Sequence, residues 1–284
     1  MPLVTRAFAA LLLLPLTACI LPASDVLERP FTRTFEVTDA DLVRVRVSGG
    51  GITVTTGESG RVEATLTARV RTRSETEADS WLADYEVVLE RQGAEIVISA
   101  RRKPGRIWSR VFGDHGQVQF RADVEVPADL ALDLDTSGGA ITVKGQRAAA
   151  VRADTSGGGI TVDGGSGDID VDTSGGGIRI GRALSALRAD TSGGSITVDY
   201  IGPSAKVVGL DTSGGSINVG LDPRASLRIS AETSGGGVSV DGLALTVRSR
   251  DRRRISGTLN DGAGTLQAHT SGGSIRIAAV DEPR

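Results

Sequence analysis

The sequence has few of the residues from which catalytic and metal sites are usually built. It contains one cysteine, two histidines and only 3% aromatic residues. No disulfide can form within the chain, and His115 and His269 lie far apart with no cysteine near either, so no metal site or catalytic triad can be assembled from them. We therefore predict no catalytic residue, no cofactor and no enzymatic activity.

The chain also lacks a charge of one dominant sign. Its 32 basic and 35 acidic residues leave a net charge of −3, which provides no bulk electrostatic reason to bind nucleic acid. The hydrophobic fraction of 39% is rich in valine, isoleucine, leucine and alanine. Together with the balanced charge, this composition excludes a disordered chain and favours a long, thin aliphatic core.

Apolar runs long enough to span a membrane are absent. The run AFAALLLLPL follows Arg6, is too short for a permanent transmembrane helix, and predicts a secretory signal over residues 1–18. It ends in LTAC, which resembles the bacterial lipobox, where the cysteine is lipidated and the peptide is cut before it. An ordinary signal is the alternative, but Cys19 has no disulfide partner. We predict a lipid-anchored envelope protein, in the outer membrane if the cell has one, with a tether over residues 19–31.

What the sequence does contain is a repeat. The motif Asp-Thr-Ser-Gly-Gly followed by Ile-x-Val recurs, and its serines are separated by 19, 18, 18, 21, 21 and 37 residues. A short fixed period with strands between glycine turns is typical of a β-solenoid. We predict an all-β, right-handed parallel β-helix with coils of about 18–21 residues over 129–284, with isoleucine and valine facing inward. The last, double gap predicts a degenerate extra coil, and the Gly-Gly pairs are expected to need positive φ.

Residues 32–128 are predicted to be a β-rich part that continues into these repeats. LVRVRVSGGGITVTTG, residues 42–57, is an early copy of the motif without its aspartate. The segment SETEADSWLADY predicts a short helix with Ser74 or Thr76 as N-cap, and the following segment predicts a hairpin with Gly93 in its turn.

The acidic residue of the motif is the candidate for a functional role such as cation binding. It should form an outward-facing column, in which stacked like charges repel one another and need compensation. Each carboxylate could cap its own turn by accepting backbone amides, which is the interpretation we favour, or the column could bind a row of Ca²⁺ ions. The residues concerned are Asp135, Asp154, Asp172, Asp190, Asp211 and Glu232.

Two basic clusters are candidates for ligand binding. Each could be a solvated loop that protects a sheet edge, or a patch for anionic envelope polymers or lipid head groups. The second cluster is RSRDRRR, residues 248–254. The first provides the candidate ligand-binding residues Arg101, Arg102, Lys103, Arg106, Trp108 and Arg110.

The segments DVEVPADLALDLDTSGGAITVKG and LQAHTSGGSIRI, with the repeats between them, resemble bacterial putative-adhesin families of unknown function related to the head-GIN adhesin domain. The resemblance implies an exported or lipid-anchored β-helix. We predict that it acts as a binding or scaffold module and that its partner is an envelope polysaccharide or another envelope protein. The resemblance brings no binding residues with it. Two alternatives stay open, a carbohydrate-active enzyme and a partner of an envelope sensor. The enzyme would need paired acids in a groove lined with aromatic residues, but the repeats contain a single aromatic residue, Tyr200.

Overall fold

The fold is described from a computed structural model. The structure describes residues 26–37, 42–72, 74–103, 118–145 and 150–282. The predicted signal and Cys19 lie outside the described residues, as do Arg106, Trp108, Arg110 and His115.

The N-terminal part consists of strands and a short helix. These elements are β1 (Val26–Glu36), β2 (Leu42–Val47), β3 (Gly49–Thr56), β4 (Arg61–Arg71), α1 (Glu75–Leu82), β5 (Tyr85–Gln92), β6 (Glu95–Arg102) and β7 (Val118–Val126).

The repeats contribute shorter strands. They are β8 (Ala131–Thr136), β9 (Ile141–Lys144), β10 (Val151–Thr155), β11 (Ile160–Val162), β12 (Ile169–Thr173), β13 (Ile178–Ile180), β14 (Leu187–Thr191), β15 (Ile196–Ile201), β16 (Val207–Thr212), β17 (Ile217–Leu221), β18 (Leu227–Thr233), β19 (Val238–Asp241), β20 (Leu245–Arg250), β21 (Arg254–Leu259), β22 (Gly264–Thr270) and β23 (Ile275–Ala279).

Two long sheets face each other across the core. An eleven-stranded sheet has the order β1-β4-β7-β3-β9-β11-β13-β15-β17-β23-β19, and a twelve-stranded sheet has the order β20-β21-β18-β22-β16-β14-β12-β10-β8-β2-β6-β5. Each coil adds one strand to each sheet, parallel to the strand of the coil before. The predicted parallel β-solenoid is therefore confirmed.

The core is a stack of identical aliphatic side chains. Ile141, Ile160, Ile178 and Ile196 are successive register partners and are buried. Burying a side chain of this size contributes about 1.5–3 kcal/mol relative to leaving it exposed. Because a single coil has no second layer to cover its apolar face, this burial exists only in the stack.

The corner of each coil is held by the motif threonine. The buried hydroxyl of Thr173 donates to the carbonyl oxygen of Gly158 in the preceding coil at 2.8 Å and accepts the amide of Gly176 at 3.4 Å. The same donation recurs at Thr136, Thr155, Thr191, Thr212, Thr233 and Thr270. Among the described residues no column carboxylate accepts a turn amide, so the threonine, rather than the acid, caps the turn.

The reason for the motif glycines also differs from the prediction. Positive φ occurs at Gly49, in the early copy of the motif, and at glycines outside the motif such as Gly145. It does not occur at the Gly-Gly pairs of the seven later copies, so that expectation was wrong for them. A Cβ on Gly176 would instead fall on the carbonyl of Gly158 in the coil below. The second glycine is needed because successive coils approach each other closely.

The N-terminal part caps one end of the solenoid. The early motif copy, β2 with β3, pairs directly with β8 and β9 although residues 57–130 lie between them in sequence. Helix α1 begins after Ser74, whose hydroxyl accepts the amide of Glu77, and Gly93 has φ 63° in the turn between β5 and β6. Both predictions are confirmed. The tether assigned to 19–31 is too long, because residues 26–31 belong to β1, which pairs antiparallel with β4.

The other end departs from sequential stacking. The predicted extra coil is an antiparallel pair, β20 with β21, and β21 is also antiparallel to β18. The chain then turns back, and the last coil, residues 264–279, lies between its neighbours. Strand β22 separates β16 from β18, and β23 separates β17 from β19. We call residues 264–279 the inserted coil.

Candidate functional site

The outward face of the twelve-stranded sheet carries a column of acids. Its order is Asp135, Asp154, Asp172, Asp190, Asp211, His269 and Glu232, each paired in register with the next. We call these residues the acidic column. The insertion explains its order, because it places His269 between two acids instead of at the end. Arg46 adjoins Asp135 at one end, and Arg254 pairs with Glu232 at the other.

A second column, two residues earlier on each strand, compensates part of this charge. Arginine and aspartate alternate along it in the order Arg44, Asp133, Arg152, Asp170 and Arg188. Arg44 Nε lies 2.8 Å from Asp133 Oδ2, and Arg188 Nε lies 2.8 Å from Asp190 Oδ2 in the acidic column. Ion pairs at a protein surface each contribute only about 0–1 kcal/mol, but together they offset part of the repulsion between stacked carboxylates.

Burial and the remaining repulsion together lower the acidity of the column. Partial burial is the main cause that raises the pKa of Asp135, Asp172 and Asp190. A neighbouring carboxylate adds to the effect at each of them, for example Asp154 beside Asp172. The charged forms are therefore disfavoured in the folded protein.

The column does not form a metal centre of the usual kind. No group of three histidine, cysteine, aspartate or glutamate residues that could hold a metal ion occurs among the residues that the structure describes. The candidate Ca²⁺ ligands Asp135, Asp154, Asp172, Asp190, Asp211 and Glu232 are brought into one file, one carboxylate per coil. We assign no cation site to them.

The first basic cluster is only partly described. Arg101 pairs with Glu86 at 3.3 Å across the β5–β6 hairpin, and Lys103 Nζ donates to the carbonyl of Ala83 at 2.9 Å. Arg102 ends β6. Arg101 also borders a cleft of about 470 Å³ whose lining includes Arg44, Arg46, Glu86, Glu90 and Asp135. Its charges are mixed, so the cleft has no evident preference for an anion.

The second basic cluster forms the tip of the β20–β21 hairpin. Arg248, Arg250, Arg252 and Arg253 are exposed, and none of them makes an ion pair within the described residues. Asp251 makes no ion pair with these four arginines, and its Oδ1 accepts the amides of Arg253 at 2.7 Å and Arg254 at 2.9 Å. We call these four arginines the basic tip.

The sequence matches the family described as Toastrack DUF4097 over residues 114–278. The chain belongs to this family. The match spans the described repeats from β7 almost to the end of β23, which are the coils that carry the acidic column and the basic tip. No curated protein matches this Toastrack chain.

Several solved structures are similar to this chain. A "putative cell adhesion protein" from Clostridium sporogenes is 11% identical with a TM-score of 0.38, over 89% of this chain and 100% of its own. A "putative adhesin" from Bacteroides fragilis is 10% identical with a TM-score of 0.39, over 89% and 97%. One from Parabacteroides distasonis is 12% identical with a TM-score of 0.38, over 88% and 97%.

Within residues 26–282 as far as they are described, no helix has the length and apolar character needed to cross a bilayer.

Relieving the repulsion in the acidic column of this Toastrack solenoid should stabilise it. We expect Asp172→Asn to raise the free energy of unfolding at pH 7 by a few tenths to about 1 kcal/mol. Because the pKa of Asp172 is raised in the folded state, its penalty is present above that pKa and disappears as the carboxyl is protonated. The gain should therefore shrink as the pH falls below the raised pKa.

Urea denaturation at pH 7 and at pH 4 measures this difference. Asp163→Asn is the matched control, because Asp163 is an exposed acid outside the acidic column. An equal gain from both substitutions would attribute the effect to net charge instead of stacking.

Proposed function

We propose that this protein is a lipid-anchored cell-envelope module that binds an anionic envelope polysaccharide through the basic tip. The observation that carries this proposal is the position of the four arginines, which make no ion pair with any described residue, at the end of the solenoid remote from β1. Strand β1 begins one end of the eleven-stranded sheet, and β19, beside the β20–β21 hairpin, ends the other. At a spacing of about 4.8 Å per strand, the two ends are about 48 Å apart.

The distribution of charge supports this choice of surface. Arginines along the solenoid pair with carboxylates, Arg44 and Arg179 with those of neighbouring strands and Arg188 with Asp190 of its own strand. The arginines of the basic tip have no such partners in the part of the chain that the structure describes, so their guanidinium groups can pair with carboxylates or phosphates of a ligand. The acidic column, in contrast, would repel a polyanion.

Anchoring supplies the geometry in which such a tip is useful. A lipid on Cys19 would hold the end of the solenoid near β1 at the membrane surface. The basic tip would then project away from that surface and meet polymers that lie beyond it. An adhesin-like role follows from this arrangement, without any catalytic step.

The anchor is tested by Cys19→Ser in the producing cell. We expect the native protein to incorporate radiolabelled palmitate and to sediment with membranes. The variant should do neither, because the lipid would be attached to the thiol. Palmitate incorporation that persists in Cys19→Ser would refute the lipidation of this residue. The result for Cys19 does not bear on ligand binding by the basic tip, which is tested separately.

The tip is tested by replacing Arg248, Arg250, Arg252 and Arg253 together by serine. Binding to immobilised polygalacturonate, a carboxylated polysaccharide, should weaken by about tenfold or more, since several charge contacts are lost. The control replaces Arg69, Arg121, Arg179 and Arg276, which change the net charge equally but are paired on the strand faces. Equal losses in both variants, or no binding by the native protein, would overturn the proposal.

A further inference from the structure

The inserted coil occupies a place that another coil also fits. Strand β22 pairs with β16 on one side and with β18 on the other, always in parallel register. Through these pairings Leu210 matches Ala268, which matches Ala231, and Thr212 matches Thr270, which matches Thr233. Strand β18 could therefore lie directly on β16 with every inward residue still facing the core.

The corner contacts are equally interchangeable. Thr270 donates to the carbonyl of Gly215 at 2.7 Å, and Thr233 donates to the carbonyl of Gly273 at 2.6 Å. If the inserted coil left, the hydroxyl of Thr233 would meet the carbonyl of Gly215 in the same way. Nothing in the repeated motif distinguishes one neighbour from the other.

The connections point to the same conclusion. Residues 202–206 join β15 to β16, which lie one coil apart, and residues 222–226 join β17 to β18, which lie two coils apart. Both connections have the same length, although the second spans twice the height. A connection of this length therefore already serves a rise of a single coil in this protein.

We propose that the solenoid has two stackings. In the inserted stacking, which the structure shows, residues 264–279 lie between β16–β17 and β18–β19. In the closed stacking, β18–β19 lies directly on β16–β17 and the last coil is displaced. The closed stacking is available first during synthesis, because residues 227–241 precede residues 264–279 in the chain.

Three features make the inserted stacking the dominant one. It buries Leu266, Ala268, Ile275 and Ile277, which the closed stacking exposes. Asn260, at φ 52°, donates through Nδ2 to the carbonyls of Pro223 at 3.0 Å and Ala225 at 2.7 Å, and so ties the returning chain to the β17–β18 connection. His269 separates Asp211 from Glu232, two acids that the closed stacking would bring together.

Engineered disulfides distinguish the two stackings. Gly209, Gln267 and Ser230 are successive outward neighbours, so Cα atoms one coil apart are separated by about 4.8 Å and those two coils apart by about 9.6 Å. A disulfide requires about 4.4–6.8 Å. In a Cys19→Ser background, which has no other cysteine, Gly209→Cys with Gln267→Cys reports the inserted stacking. Gly209→Cys with Ser230→Cys can close only in the closed stacking.

The control is a pair two coils apart in the middle of the solenoid. Arg152→Cys with Arg188→Cys spans β12, where the strand between them is not at the end of the stack. In a glutathione redox buffer we expect the Gly209–Ser230 pair to close within one chain at least about tenfold faster than this control. Asn260→Gly, which keeps the backbone conformation and removes the clamp, should accelerate it further, as should His269→Asp.

Each result of the disulfide experiment leads to a different conclusion. Rapid closure of the Gly209–Gln267 pair shows that the cysteine variants fold. Closure of the Gly209–Ser230 pair no faster than the control would overturn the proposal. Covalent dimers from that pair would also overturn it, because they would show exchange of coils between two chains in place of closing within one.

Discussion

Gly176→Ala should destabilise the solenoid by about 3 kcal/mol or more, in the upper part of the range for single substitutions. The new methyl group would fall on the carbonyl of Gly158 and close to the Cα atom of Gly159. These are backbone atoms of the preceding coil, so the clash cannot be relieved by moving a side chain. The coils would have to separate at this corner, which would also break the hydrogen bond from Thr173 to Gly158.

Gly209→Ala is the matched control, because it lies on the outward face of β16 and a Cβ there has no atom within 4 Å. We expect its free energy of unfolding to stay within about 0.5 kcal/mol of the native value, as for most surface substitutions. Urea denaturation of both variants measures the difference. Similar losses at the two positions would show that conformational freedom, and not the close approach of coils, explains the glycines.

Asp222→Ala should lower the free energy of unfolding by about 2–4 kcal/mol, because it removes the buried acceptor at the centre of a cluster with the buried Tyr200 and the exposed Arg224. Asp222 is 1% exposed. It accepts the Tyr200 hydroxyl at 2.6 Å, the backbone amide of Arg224 at 2.8 Å and the Arg224 side chain at 2.7 and 3.0 Å. The alanine variant leaves the fully buried Tyr200 hydroxyl without this partner.

The pH dependence of this loss has a definite sign. Hydrogen bonds from Arg224, and secondarily from Tyr200, hold the pKa of Asp222 well below its usual range, against the opposing effect of burial. The carboxylate therefore contributes stability that is complete above the unfolded pKa of about 3.9 and is lost as the pH falls towards the folded pKa. Burial and the bond to Asp222 raise the pKa of Tyr200 to about 12, so the tyrosine stays a donor throughout this window.

Denaturation of the native protein and of Asp222→Ala at pH 7, 4 and 2.5 provides the measurement. The difference in free energy of unfolding between the two proteins should be largest at pH 7 and should become smaller below about pH 4. Asp222→Asn keeps an acceptor for Tyr200 but removes the charge beside Arg224. It should therefore lose less stability than Asp222→Ala. A difference that does not change with pH would refute the contribution of the ionised carboxylate.

Neither this cluster nor the threonine corner was predicted, and the reasons differ. The motif threonine could have been found from the sequence, because alternation in a strand that turns Asp172 outward turns Thr173 inward. A polar residue at an inward position needs a hydrogen-bond partner. The cluster gave no such signal, since Tyr200 and Asp222 belong to different coils and meet only when those coils stack.

The local features of the fold were predictable because their causes are local. The Ser74 cap, the Gly93 turn and the inward Ile-x-Val strands each depend on a few neighbouring residues and on the alternation of side chains along a strand. The repeat itself required stacking, since a single unit buries too little apolar surface to fold alone. The outward column of acids followed from the same alternation.

By itself, then, the sequence determined that the chain is a stack of coils and which side chains face its core. Only the tertiary structure decided which coil lies beside which, that His269 sits between Asp211 and Glu232, and that β20 and β21 reverse the chain to leave the basic tip at the far end. The physical reason is that copies of one motif stack on each other almost equally well. Their order is therefore set by connections, clamps and like-charge contacts, which form only between segments distant in sequence.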